Sequence, residues 1–302
     1  MPAIVFRFLL AGLLTAGPAG AAEDVKVAMV DGAGKTAARA TTPARLWDGL
    51  DAAALRLRSA HALVVDRFGN EVYAKGEDEP VPIASITKLM TAMVILDSGL
   101  PLDEPVAVTR ADRDLLKLTG SRLGFGATLT REEMVRIALM ASENRAASAL
   151  GRTYPGGKEA FVRAMNAKAK ELGMHHSHFA DPTGLDAGNR ASARDLVKMV
   201  RAAYRYPLIQ EATTTERALV HPYSNRGPLR YGNTNRLLRN EHWQIELSKT
   251  GYIRESGRCL VMQADIAEQP LVIVFLDSFG KLTPFGDSNR LREWIEDGLE
   301  RG

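Results

Sequence analysis

Ser85 and Lys88 lie in the run Ala84-Ser85-Ile86-Thr87-Lys88-Leu89-Met90, ahead of the helix formers Thr91 to Leu96. On a helix, residues three apart share a face with Cβ atoms about 5–6 Å apart. The lysine amine therefore reaches the serine hydroxyl without help from distant chain. A serine hydroxyl is a poor nucleophile until a neighbouring group accepts its proton. A lysine accepts only when burial or another cation lowers its pKa. At a helix start, unpaired N–H groups and the positive dipole end also favour a developing oxyanion. The same spacing fits an N-cap serine followed by a solvated lysine. The choice therefore depends on two further fragments, Ser142-Glu143-Asn144 and Lys249-Thr250-Gly251, and on whether the fold brings them to Ser85.

The elements that must do so are legible in outline. At 302 residues, with 45% hydrophobic and 25% charged residues, the chain can bury a substantial core. Residues 1–21 read as a secretory signal: Arg7, the apolar run Phe8 to Leu14, and the small-residue site Ala19-Gly20-Ala21. The apolar run is too short to span a bilayer. An uncleaved anchor is the alternative, weakened by Gly12, Gly17 and Pro18. The mature form is thus expected in the periplasm, without a membrane span. Cys259 is the single cysteine, so no internal disulfide can form. Net charge +3 and pI about 9.0 suit an anionic polymer, but the charges are interspersed and no Lys/Arg run points to nucleic acid.

Residues 22–55 show no sustained period and read as a lead-in or linker to a domain over 56–302. Ala60 to Asp66 and Glu71 to Ala74 form a predicted hairpin around Arg67-Phe68-Gly69-Asn70. A helical lobe follows over about 100–205. It contains a capping box at Thr130 and Glu133, a helix from about Gly157 to Leu172 closed by Gly173, and one from about Ala193 that Ser192 can cap. His175, His176 and His178 invite a metal reading, but they lack HExxH spacing and a paired acid. A polar surface turn is the better account, and no metal or cofactor is expected. After Pro207 the pattern returns to strands, with a meander over Ile245 to Ile253, Arg258 to Ile266 and Leu271 to Leu276. Cys259 falls inside it as a small core hydrophobe. A final helix, Asp287 to Leu299, turns Leu291, Trp294, Ile295 and Leu299 to one face. The fold class is therefore α/β: an antiparallel sheet flanked by helices, with an inserted helical lobe and a cleft between them.

S-x-x-K, S-x-N and K-T-G in this order, each in its expected kind of element, form the set known from penicillin-binding proteins and class A β-lactamases. The chain resembles the low-molecular-weight penicillin-binding proteins, the D-alanyl-D-alanine carboxypeptidase and endopeptidase family. Within it, it looks like the penicillin-binding protein 7 type of D,D-endopeptidase. The resemblance runs from about Ala60 to Ile295 and includes Phe179 to Leu185, Asn233-Thr234-Asn235 and Lys249 to Ile253. It implies a β-lactamase/transpeptidase-like fold, peptidoglycan stem peptides as substrate and β-lactams as covalent inhibitors. Ser85 would attack the D-alanyl carbonyl and Lys88 would take its proton. Ser142 would relay a proton to the leaving amine, and Asn144 would hold Lys88 and the substrate amide. A charged Lys249 would keep Lys88 neutral and, with Thr250, meet a substrate carboxylate. Gly251 would let the peptide lie flat along the strand, and the N–H groups of Ser85 and Tyr252 would form the oxyanion hole.

A β-lactamase adds an E-x-x-L-N loop, absent between Asn144 and Lys249. A carboxypeptidase often continues into a second β-rich domain, whereas this chain ends soon after its last strand. An endopeptidase cutting D-alanyl-diaminopimelate crosslinks fits best, with a carboxypeptidase and a non-catalytic wall-binding or β-lactam-sensing module as alternatives.

Overall fold

The computed structural model describes residues 46–301. Strands β1 (Ser59–Asp66) and β2 (Glu71–Lys75) form the expected hairpin. Gly69 takes φ +100° at its turn, and the Asp66 carboxylate accepts the N–H groups of Phe68 and Asn70. A short strand β3 (Val81–Pro82) and a 3₁₀ turn, Ala84–Ile86, lead into helix α1 (Thr87–Asp97). The insertion then runs through β4 (Pro105–Ala107), β5 (Thr128–Thr130), α2 (Arg131–Met140), α3 (Asn144–Arg152) and α4 (Gly157–Glu171). After it come β6 (Arg190–Ala191), α5 (Ala193–Ala203), α6 (Pro207–Thr214) and the hairpin β7 (Arg217–Val220) with β8 (Leu229–Gly232). The chain returns to the sheet through β9 (Gln244–Ile253), β10 (Gly257–Ile266) and β11 (Gln269–Ser278), and closes with α7 (Thr283–Arg301).

The main sheet is antiparallel in the order β2-β1-β11-β10-β9, so β1 completes a sheet whose other long strands lie some 180 residues onward. The register sets Val64 against Ile273 and Lys249 against Val261. Both faces are covered, which is why β1 and β11 read as nearly unbroken apolar runs. Leu63, Val65, Val272 and Val274 pack toward the lobe helices. Val64, Met262, Ile273 and Phe275 pack with Leu291 and Ile295 of α7. Helix α1 is the pillar of the lobe: every residue from Thr87 to Ile95 is buried, so it has no solvent face.

The sequence expectations needed adjustment in three places. Trp47, Leu55 and Leu57 pack into the α7 layer, and the Trp47 indole N–H donates to Asp66 at 3.0 Å. The packed body therefore includes residues 46–55, which had read as lead-in. Residues 108–127 are mostly irregular instead of helical. Their loop is held by side chains such as Asp114, which accepts the N–H groups of Leu116, Lys117 and Thr119. Pro207 begins helix α6 at its first turn instead of ending helical structure. The secretory segment 1–21 and most of the lead-in lie outside the described residues. No helix of the described residues is long and apolar enough to cross a membrane.

Candidate active site

Ser85 sits in the 3₁₀ turn, not in α1 itself, and Ala84 before it has φ +47°. Two glycines allow that turn to be approached closely. A Cβ on Gly184 (φ +78°) would lie 1.9 Å from Ala84 O, and one on Gly251 would lie 2.8 Å from Ile83 O and 3.2 Å from Ser85 N. The missing side chain of Gly251 thus makes room for the serine turn, while the residue also borders the cleft.

Lys88 is 1% exposed. Its Nζ lies 2.9 Å from Ser85 Oγ, and it donates to Asn144 Oδ1 at 2.8 Å and to the Thr183 carbonyl at 2.6 Å. A neutral amine has two N–H groups and one lone pair. Asn144 Oδ1 and Thr183 O can only accept, so they engage both N–H groups, and the lone pair is left for the serine hydroxyl. Burial lowers the Lys88 pKa from 10.5 to about 8, against the opposing pull of the Asp181 and Glu143 carboxylates. Asp181 organises the turn that presents Thr183: it accepts the Thr183 and Gly184 N–H groups and the Asn189 side-chain amide. Glu143 caps α3 through the Arg145 N–H and accepts the Ser121 hydroxyl.

Ser142 stands between α2 and α3 with φ +59°, which turns its hydroxyl toward β9. Lys249 Nζ donates to it at 3.0 Å and to Thr250 O at 2.9 Å. Lys249 is also 1% exposed, and burial, then the charge of Lys88, lowers its pKa well below 10.5. The expected division into a charged Lys249 and a neutral Lys88 therefore does not follow from the protein's own groups. The nearby carboxylates act on Lys88, while Lys249 has only the burial penalty and a like charge. Thr250 Oγ1 lies 2.7 Å from Thr234 Oγ1, and the Asn144 amide N–H donates to Thr119 Oγ1 at 3.0 Å.

Ser85, Thr119, Ser142, Asn144, Thr234, Thr250, Gly251 and Tyr252 line one cleft of about 520 Å³. The Tyr252 ring is half exposed, with the Arg258 guanidinium 3.6 Å from its centre. Cys259 also borders the cleft, but burial raises its thiol pKa to about 11, so it is a poor nucleophile. His175, His176 and His178 are elsewhere, on a surface turn where His178 exchanges backbone hydrogen bonds with Arg190. The sequence reading assigned nothing to Thr119, Thr183 or Thr234. Thr183 contributes a backbone carbonyl, which leaves no side-chain signature. Asp181-Pro182-Thr183-Gly184 entered only as part of the segment Phe179 to Leu185 that carries the resemblance, with no role attached.

A buried amine on a serine hydroxyl, beside the edge strand of an antiparallel sheet, is the arrangement of a serine hydrolase acting by acyl transfer. The comparisons place the chain more closely. A profile of the D-alanyl-D-alanine carboxypeptidase family matches residues 49–280, and the chain belongs to that family. It is 47% identical over 246 residues to a D-alanyl-D-alanine endopeptidase of Pseudomonas aeruginosa, covering 80% of this chain and 78% of the relative. It is 45% identical over 243 residues to the Escherichia coli protein of the same description, with the same coverage. Among solved structures, a Streptomyces DD-transpeptidase superposes with a TM-score of 0.74 at 24% identity, over 80% of this chain and 98% of that one. That likeness bears on the fold alone.

Proposed function

We propose that the chain is a secreted serine D,D-endopeptidase that hydrolyses D-alanyl-diaminopimelate crosslinks of peptidoglycan through an acyl-enzyme. The observation that carries this reading is the Lys88 amine, buried, held by two acceptors and 2.9 Å from Ser85 Oγ. Ser85 Oγ bonds to the D-alanyl carbonyl carbon as its proton passes to Lys88. The N–H groups of Ser85 and Tyr252 hold the oxyanion. The C–N bond then breaks, with the leaving amine protonated through Ser142, and water later cleaves the ester. Asn144 fixes the Lys88 amine and donates to the substrate amide. A carboxylate on the leaving residue meets Lys249 and Thr250. Its charge favours the protonated form of Lys249, and like-charge repulsion then favours the neutral form of Lys88. The substrate backbone adds to β9 as a further antiparallel strand. The secretory signal read over residues 1–21 supports a site of action in the periplasm.

β-Lactams acylate Ser85 in the same geometry. Without an E-x-x-L-N glutamate to activate water, the penicilloyl ester is released slowly, and rapid nitrocefin turnover would overturn that expectation. The family description favours a second reading, removal of the terminal D-alanine by a carboxypeptidase. Digestion of purified crosslinked muropeptide dimers separates the two. Endopeptidase action yields monomers with wild type and none with Ser85→Ala. Release of D-alanine with the dimers left intact refutes it.

A further inference from the structure

Beyond Tyr252 the cleft continues toward the β9–β10 turn and the start of α7, and its wall changes character. Lys117, Arg254, Arg258 and Lys281 line it with Pro284 and Phe285, and among the described residues no Asp or Glu does. Lys117 is paired at 2.5 Å with Glu255, a carboxylate that also lies in the field of Arg254. Arg258 is oriented by its stacking on Tyr252, and Arg254 and Lys281 are exposed. Helix α7 begins at this wall with no acidic residue in its first turn, so its dipole adds positive potential. Four cations line this end against two nearby carboxylates, Glu255 paired with Lys117 and Asp277 behind Cys259 and Gly257, and leave it net cationic.

The direction of the bound peptide decides what meets that wall, and here the inference rests on the proposed peptidase reading. The leaving-side carboxylate lies at Lys249 and Thr250, and the scissile carbonyl at Ser85 and Tyr252. A chain running antiparallel to β9 then sends its N-terminal, acyl side toward Arg254. We infer that Arg254, Arg258 and Lys281 form a subsite for a carboxylate on the acyl-side residues of the stem peptide, and that the enzyme discriminates a free carboxylate there from its amide. Guanidinium groups bind carboxylates through charge-assisted, often bidentate hydrogen bonds about twice as strong as neutral ones. An amide loses the charge and one acceptor. Tyr252 and Phe285 supply apolar surface beside the charges for the stem's methylene groups.

The test uses two synthetic crosslinked peptides that differ only in whether the acyl-side carboxylates are free or amidated. Wild type is expected to prefer the free acid by roughly tenfold in kcat/KM at low salt, with the preference shrinking as salt is added. In Arg254→Gln/Lys281→Gln the ratio falls toward one, and in the charge-conserving Arg254→Lys/Lys281→Arg it persists. Equal cleavage of the two peptides by wild type overturns the subsite alone, as does a preference that is indifferent to salt. Cleavage of neither peptide by wild type overturns the peptidase reading and the subsite together.

Discussion

In the proposed acylation Lys88 serves as a base only while its amine is unprotonated, and its surroundings set where that happens. Below its pKa of about 8 the amine carries a proton and cannot accept one from Ser85. Acylation by a penicillin should therefore rise with pH and level off above about pH 8. Asp181 is the leading charge that opposes the effect of burial. In Asp181→Asn that negative charge is gone, the protonated amine loses a stabilising neighbour, and the rising limb should move to lower pH. The substituted amide keeps one oxygen for the Thr183 and Gly184 N–H groups, so a weakened turn persists. Second-order acylation rates measured across pH check this, and a limb that moves upward refutes the assignment of Lys88 as base. At this scale the sequence was informative about which side chains the fold brings together. Ser85, Ser142, Asn144 and Thr250 line one cleft, and the buried amines of Lys88 and Lys249 bond to its wall at Ser85, Asn144 and Ser142. It was silent on Thr183 O, because a carbonyl belongs to every residue type. The expected division into a charged Lys249 and a neutral Lys88 came from the resemblance, whereas the charge states depend on how deeply both amines are buried and where Asp181 and Glu143 lie.

Elements were legible where one local rule governed them. The capping box of α2, the Ser192 cap of α5 and Gly173 behind α4 all stand as expected. Helix α6 was missed because Thr213 and Thr214 favour strands and Pro207 looks like a stop, although proline is well suited to a first turn. The loop over residues 108–127 was read as helical because its order comes from side-chain bonds such as that of the Gly124 N–H to Tyr223, across 99 residues. Gly251 belongs to this scale, since it sets how near β9 approaches the serine turn. Gly251→Ala places a methyl group 2.8 Å from Ile83 O and 3.2 Å from both Ala84 Cβ and Ser85 N. Backbone lies on the far side, so strand and turn must separate. The strain should cost about 1–3 kcal/mol of stability. Displacement of Ser85 from the Tyr252 N–H should slow penicillin acylation by roughly a hundredfold. Denaturant unfolding and acylation kinetics measure the two effects, and wild-type acylation in the variant would show that the contact relaxes without moving Ser85.

For the whole molecule, the order of strands, helical insertion and strands specified the sheet with its lobe. The N-terminal boundary was hidden, because Trp47, Leu55 and Leu57 acquire meaning only against α7 and the distant strands. The same body buries two lysines side by side at the junction of lobe and sheet, each 1% exposed. Burying an amine without a carboxylate partner opposes folding, because the unfolded chain keeps the proton that the folded chain disfavours. For Lys249 the native pKa lies well below 10.5, so between that pKa and 10.5 the unfolded state binds more protons. Stability therefore rises with pH across this window. Lys249→Met fills nearly the same volume with an apolar chain and removes that linkage. It frees only Ser142 Oγ, which borders the cleft, and Thr250 O. The variant should melt a few degrees higher, by roughly 2–4 °C for each kcal/mol regained. Its advantage should be largest at neutral pH and fade as pH approaches 10.5. Cleavage of crosslinked peptide should meanwhile fall by orders of magnitude, since the leaving-side carboxylate loses its cation. Thermal unfolding at several pH values together with peptide kinetics measures both, and a variant that melts lower than wild type at every pH would show that the Lys249 amine supports the junction instead of straining it.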